Sequence, residues 1–223
     1  NSRNIYIVQG NIMSEFGYIP EAPEQSFGNN KGIFTPKDIY DLTRADKYTN
    51  YGQLELIETQ TVSSVAQVDF TAIQESTYNV HFLTVNNYQA NTDNTILTID
   101  LFENGVLETS NYQVAIQGGR ADGTFSEYKS TSSTNGIANI GSGIDNASAS
   151  SANGYCYFYN LGDSTKYSFS TYQWSYIYYT NVYEMNFGSG VLPQASTVDG
   201  FRVIPNAGTF SADFSLYGIK EYS

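Results

Sequence analysis

Cysteine, histidine and tryptophan occur once each in this chain of 223 residues, and lysine plus arginine number only ten against 22 acidic residues. Each shortage excludes something. With Cys156 alone no intrachain disulfide can form, and one cysteine with one histidine cannot complete a four-ligand zinc site. A Ser–His–Asp or Cys–His catalytic arrangement would have to use His81. That residue lies in the alternating run 78–83 (Y-N-V-H-F-L), mid-strand by pattern, where a structural role is expected. No Gly-x-Ser-x-Gly elbow, phosphate-binding loop or dinucleotide fingerprint occurs. The net charge of −12 lacks the Lys/Arg footprint that phosphate backbones require, so nucleic acid is not an expected partner. No run of about 18 apolar residues exists, so membrane insertion is not expected. The polar start Asn1-Ser2-Arg3-Asn4 is not followed by the apolar stretch of a signal peptide.

What is abundant is tyrosine (20), glycine (19) and phenylalanine (13), a composition of strands and turns. Residues 209–217 (T-F-S-A-D-F-S-L-Y) put Phe210, Ala212, Phe214 and Leu216 on one face, the period-two pattern of a half-buried antiparallel strand. This terminal strand is expected to lie between two earlier ones and close a sheet, with Gly218 ending its pairing. Similar alternation runs through residues 53–59, 65–70, 78–83 and 97–102. Asn104-Gly105 then gives a strong hairpin signal, because both residues tolerate positive φ. Residues 106–114 are expected to return beside it. Residues 118–151, rich in Gly, Ser, Asn and Ala, read as long loops. Further strands follow at 155–160, 167–174, 176–187 and 201–204, with Cys156 a small buried thiol in the first of them. Nine or ten strands over residues 51–223 predict an all-β, two-sheet antiparallel sandwich of jelly-roll type. Its expected core is Phe70, Val80, Phe82, Leu97, Ile99, Leu101, Phe210, Phe214 and Leu216.

Residues 1–50 differ. They hold three of the five prolines and no sustained alternation. One short helix is predicted near 36–46: Thr35 can cap it, Pro36 suits its first position, and Asp38 completes a capping box. The rest reads as an extended arm too short to bury a core. Its apolar residues, Ile5, Tyr6, Ile7, Val8 and Phe34 among them, are expected to anchor it on a neighbouring subunit.

Two kinds of site can be weighed from the residues. Tyr172, Trp174, Tyr176 and Tyr178 share one strand face; they suit a core with a subunit contact, or a ligand or partner surface for sugar or protein. The carboxylates are numerous enough for a glycosidase pair, but no context singles out two of them. Asp93, Asp145 and Asp163 stand in turn contexts without calcium-loop spacing and read as hydrogen-bonded turn residues. No cofactor and no metal is expected.

Three stretches carry a family resemblance: 31–42 (K-G-I-F-T-P-K-D-I-Y-D-L), 54–62 (L-E-L-I-E-T-Q-T-V) running into Val68-Asp-Phe70, and the closing 214–219 (F-S-L-Y-G-I). Together they resemble virion structural proteins of marine tailed bacteriophages, including those of cyanobacteria: tail-fibre, appendage or head-decoration proteins. The resemblance covers residues 31–219 and defines no site. It implies a location on the virion and a non-enzymatic role. The expected partners are other virion proteins and sister copies, a trimer being favoured. The alternative is a module that binds a cell-surface glycan through an aromatic surface.

Overall fold

The computed structural model of the chain describes residues 25–26, 29–30, 35–45 and 53–221. The chain divides into two compact units, Asn1–Gly52 and Gln53–Ser223. In the first, β1 (Gln25–Ser26) pairs antiparallel with β2 (Asn29–Asn30), and α1 spans Pro36–Arg44. The helix begins where the sequence directs. The Asp38 amide donates to the Thr35 hydroxyl at 3.2 Å, and the Thr35 amide donates to the Asp38 carboxylate at 2.8 Å. Both are donors that a helix start leaves unpaired. Lys37 and Asp41 pair one turn apart. The proposed anchors Ile5, Tyr6, Ile7, Val8 and Phe34 lie outside the described residues.

The second unit is all-β. Its strands are β3 (Leu54–Val65), β4 (Val68–Phe70), β5 (Val80–Ala90), β6 (Thr95–Glu103), β7 (Val106–Leu107), β8 (Tyr112–Arg120), β9 (Phe125–Ser133), β10 (Ala138–Ile144), β11 (Ala152–Tyr159), β12 (Ser168–Tyr178), β13 (Val182–Leu192), β14 (Gly200–Pro205) and β15 (Phe210–Ile219). Every pairing is antiparallel. One layer runs β3-β15-β5-β11-β12-β13-β8-β9; the other runs β10-β6-β14-β4, with β7 beside β6. The short layer joins the long one at its β10 edge, where Ile144 pairs with Tyr178 of β12, an interior strand of the long layer. Near the opposite edge the Gln60 amide of β3 donates to the Asp69 carbonyl of β4 at 3.1 Å. The result is a sandwich-like, nearly closed sheet.

Aromatic contacts run through the core between the layers. Phe201 stacks on Phe70 of its own layer at 4.8 Å and on Phe158 of the facing one at 4.9 Å. Phe214 meets Phe70 edge-on at 6.0 Å. Each such ring contributes about 1.5–3 kcal/mol by leaving water. The terminal strand β15 lies between β3 and β5 and buries the four residues that its alternation marks.

Five expectations need correction. Pairing of β15 continues through Gly218 to Ile219. A Cβ at Gly218 would sit 2.3 Å from the Tyr78 ring, so the missing side chain makes room for that tyrosine. In β5 the faces are reversed: His81, Leu83 and Val85 point inward, while Val80 and Phe82 lie on the outer face. Both alternate sets of that strand are apolar enough to be buried, and its neighbours decide. Leu83 pairs with Leu216 on one side and Cys156 on the other, and both are core residues. Residues 118–151 are not loops alone, because they hold the end of β8, all of β9 and all of β10. Ladder hydrogen bonds need no apolar side chain, so hydrophobic patterning missed them. Finally, β12 runs unbroken to Tyr178, and the turn comes at Tyr179–Asn181, with Asn181 at φ 62°. The Asn104-Gly105 hairpin forms as expected, at φ 51° and 72°. However, only Val106–Leu107 returns beside β6, and β8 crosses to pair with β13 and β9.

Candidate functional site

The predicted aromatic surface is not a surface. Tyr172, Trp174 and Tyr176 are 3%, 1% and 2% exposed and belong to the core. The strand face that carries them is the inner one, and the facing layer covers it. Tyr178, half-buried, sits at the margin of that core with the Arg120 guanidinium 3.5 Å from its ring centre. These four therefore form no joint ligand or partner surface.

The exposed aromatics lie on the other side of the same layer. Cross-strand register sets Leu54, Ile219, Val80, Tyr159, Phe169 and Val191 side by side over six strands. The next row on that face sets Leu56, Tyr217, Phe82 and Tyr157 together. Strands lie about 4.8 Å apart, so the longer row extends roughly 24 Å. None of these ten residues is charged. The rings touch: Phe82 is 4.5 Å from Tyr157 and 6.2 Å from Tyr217. Beyond Phe169 the face dips into a hollow of about 680 Å³ over Val191, Ser189, Ala115 and Lys129.

On the inner side, β8 and β9 overhang the short layer and leave a second, smaller pocket of about 180 Å³. Glu184 (1% exposed) and Asn186 (4%) line it from β13, with Asn139 of β10 and Ser126 and Tyr128 of β9. The Arg120 Nε donates to Glu184 Oε2 at 2.6 Å, and that hydrogen bond holds the guanidinium charged. Asn186 Oδ1 has no hydrogen-bond partner. Sequence reading passed over this pair. The available signal was polar residues at inward positions of the 182–187 alternation (V-Y-E-M-N-F), where a core residue is due.

The single-copy residues are all buried. His81 is buried, and its Nε2 lies 2.8 Å from the Ile73 carbonyl. Burial lowers its pKa, so the ring is held neutral and donates from Nε2. The Cys156 thiol is fully buried and its pKa is raised by that burial. Asp145 accepts from the Ala147 amide at 3.3 Å. Asp163 accepts from the Thr165 amide at 2.9 Å and from its hydroxyl, which draws the carboxyl down to about 2. Both are turn residues of the expected kind, and Asp93 sits exposed in the bend before β6. Among the described residues no three His, Cys, Asp or Glu come together as a metal site would require. Asp100 shifts the other way: burial pushes it up to about 6, although Arg202 opposes the shift. Arg202 itself grips Asp69 through two bonds of 2.7 and 2.8 Å.

No protein-family model, curated protein or solved structure matches the chain.

Proposed function

We propose that the chain is a non-catalytic structural component of a tailed-phage virion, displayed on the particle and joined to other virion subunits, sister copies included. The observation that carries this reading is the pair of uncharged, aromatic-rich rows on the outer face of the long layer. Apolar patches of more than a few hundred Å² on a soluble protein mark interaction sites. A subunit of net charge −12 repels its own copies, so association favours a contact surface without charge. Rows of Leu, Ile, Val, Phe and Tyr in sheet register offer a flat face for a neighbouring subunit. The reading includes anchoring by residues 1–50.

Two measurements test it. Light scattering on the purified 24.7 kDa chain is expected to give the mass of an oligomer, a trimer by the favoured reading. Phe169→Asp with Tyr157→Asp should reduce it to a monomer without unfolding it. Mass spectrometry of purified particles should find the protein in the virion. Deleting residues 1–30 should leave a folded sandwich that no longer incorporates. A chain that stays monomeric at high concentration and is absent from particles would sink the proposal. The glycan alternative loses Tyr172, Trp174 and Tyr176 as contact residues, because they are buried.

A further inference from the structure

We propose that the 180 Å³ pocket under β8 and β9 binds one neutral sugar residue, the exposed end of a glycan. The lining has two characters. Ile96 and Ile116 give it an apolar side, while Glu184, Asn186, Asn139 and Ser126 give it a polar one. A pyranose ring has the same division, with C–H groups on its faces and hydroxyls around its rim. Tyr128, an exposed residue of β9 at the pocket, offers a ring face for stacking against those C–H groups.

Charge narrows the choice of ligand. Arg120 already neutralises Glu184 at 2.6 Å, and Lys129 pairs with Glu127, the other carboxylate of the lining, at 2.7 Å, so a cation would meet compensated carboxylates beside a guanidinium. An anion would meet the carboxylate. A neutral molecule rich in hydroxyls fits, since Asn186 Oδ1 lacks a donor and a buried acceptor without one is costly. Size narrows it further. The volume equals that of about six waters, enough for one sugar ring and too small for two. Backbone geometry keeps the space open. Gly118 pairs with Asn186 on one side and Ser126 on the other. A Cβ there would come 2.7 Å from Ser126 Oγ and 2.9 Å from Glu184 Oε1.

The pocket carries its own reporter. Trp174, the single tryptophan, is the cross-strand neighbour of Asn186. The full chain is titrated with glucose, galactose, mannose and N-acetylglucosamine, with glycerol as a polyol control. Tryptophan fluorescence and saturation-transfer NMR are recorded together. At least one sugar is expected to saturate both signals in about the millimolar range, with glycerol inert. Gly118→Ala should weaken that sugar at least about tenfold. Should Gly118→Ala lower the melting temperature, Tyr128→Ala, at an exposed position, gives the same comparison in a folded protein. Silence from all four sugars at about 100 mM, well above that range, overturns the proposal and leaves a water-filled pocket. Undiminished binding by the folded variant also overturns it, by placing the sugar elsewhere. The assay needs no assembly, so its failure leaves the virion proposal standing.

Discussion

Strands β15 and β9 both begin with phenylalanine and serine, and both are nine or ten residues long. Their fates are opposite. Every second side chain of β15 is buried, whereas Ser133 alone is buried in β9. Phe210 and Phe214 reach the core, while Phe125 is 85% exposed. β15 has a neighbour on each side and the short layer beneath it. Among the described residues β9 pairs with β8 alone, and it overhangs the polar pocket. The charges differ in the same sense: Glu127 and Lys129 pair in the open at 2.7 Å, the kind of residue that keeps a sheet edge from adding a foreign strand. A strand's hydrogen bonds fix its shape, but its contribution to stability depends on what lies across from it.

Truncation in the core should break this contrast most directly. Phe214→Ala is expected to cost about 3–5 kcal/mol, read as a loss in thermal or urea melting. An unchanged melting point would mean that β15 does not face the core. Hydrogen exchange sharpens the same comparison without mutation. Amides of β15 should exchange only through global unfolding, about a thousandfold more slowly than those of β9, which open locally. Equal protection would show that β9 folds with the core as one cooperative unit.

A smaller effect tests a buried charge in the short layer. Asp100 has a folded-state pKa of about 6 against 3.8 when free. The native state therefore binds more protons than the unfolded state between about pH 4 and 6, and stability falls as pH rises through that window. The loss should be about 2–3 kcal/mol, and Asp100→Asn should flatten the profile and raise stability at pH 7. A profile that Asp100→Asn leaves unaltered would assign the shift to another group. Asp163, held down to about 2, has the opposite sign: its contribution is present above about pH 4 and fades as pH falls toward 2. The smallest effect belongs to the edge. Phe125→Ser should change stability by less than about 0.5 kcal/mol, and a larger loss would reveal a contact that covers β9.

Local signals were legible wherever one residue's own chemistry decides the outcome. The Thr35–Asp38 box, the Asn104-Gly105 turn and the alternation of β15 are all of this kind. The direction of β5 was not legible, since Val80, Phe82, Leu83 and Val85 offer apolar residues to both faces. The serine- and glycine-rich β9 and β10 escaped because backbone pairing leaves no mark on hydropathy. The pocket at Glu184 and Asn186 escaped for a related reason: polar residues at alternating positions look like an ordinary outer face until the sheet's orientation is known.

By itself, then, the sequence determined the class of the second unit, its Asn104-Gly105 turn, the inward face of its last strand and the helix cap of the first unit. These depend on period-two alternation and on φ preferences, which act over a few residues. Tertiary structure alone decided three further things: which face of β5 is buried, that Trp174 and its tyrosines fill the core, and that two apolar rows lie on the outer face. The physical reason is that burial depends on the partner across the sheet. That partner lies many residues away in the chain, and side-chain chemistry within one strand carries no record of it.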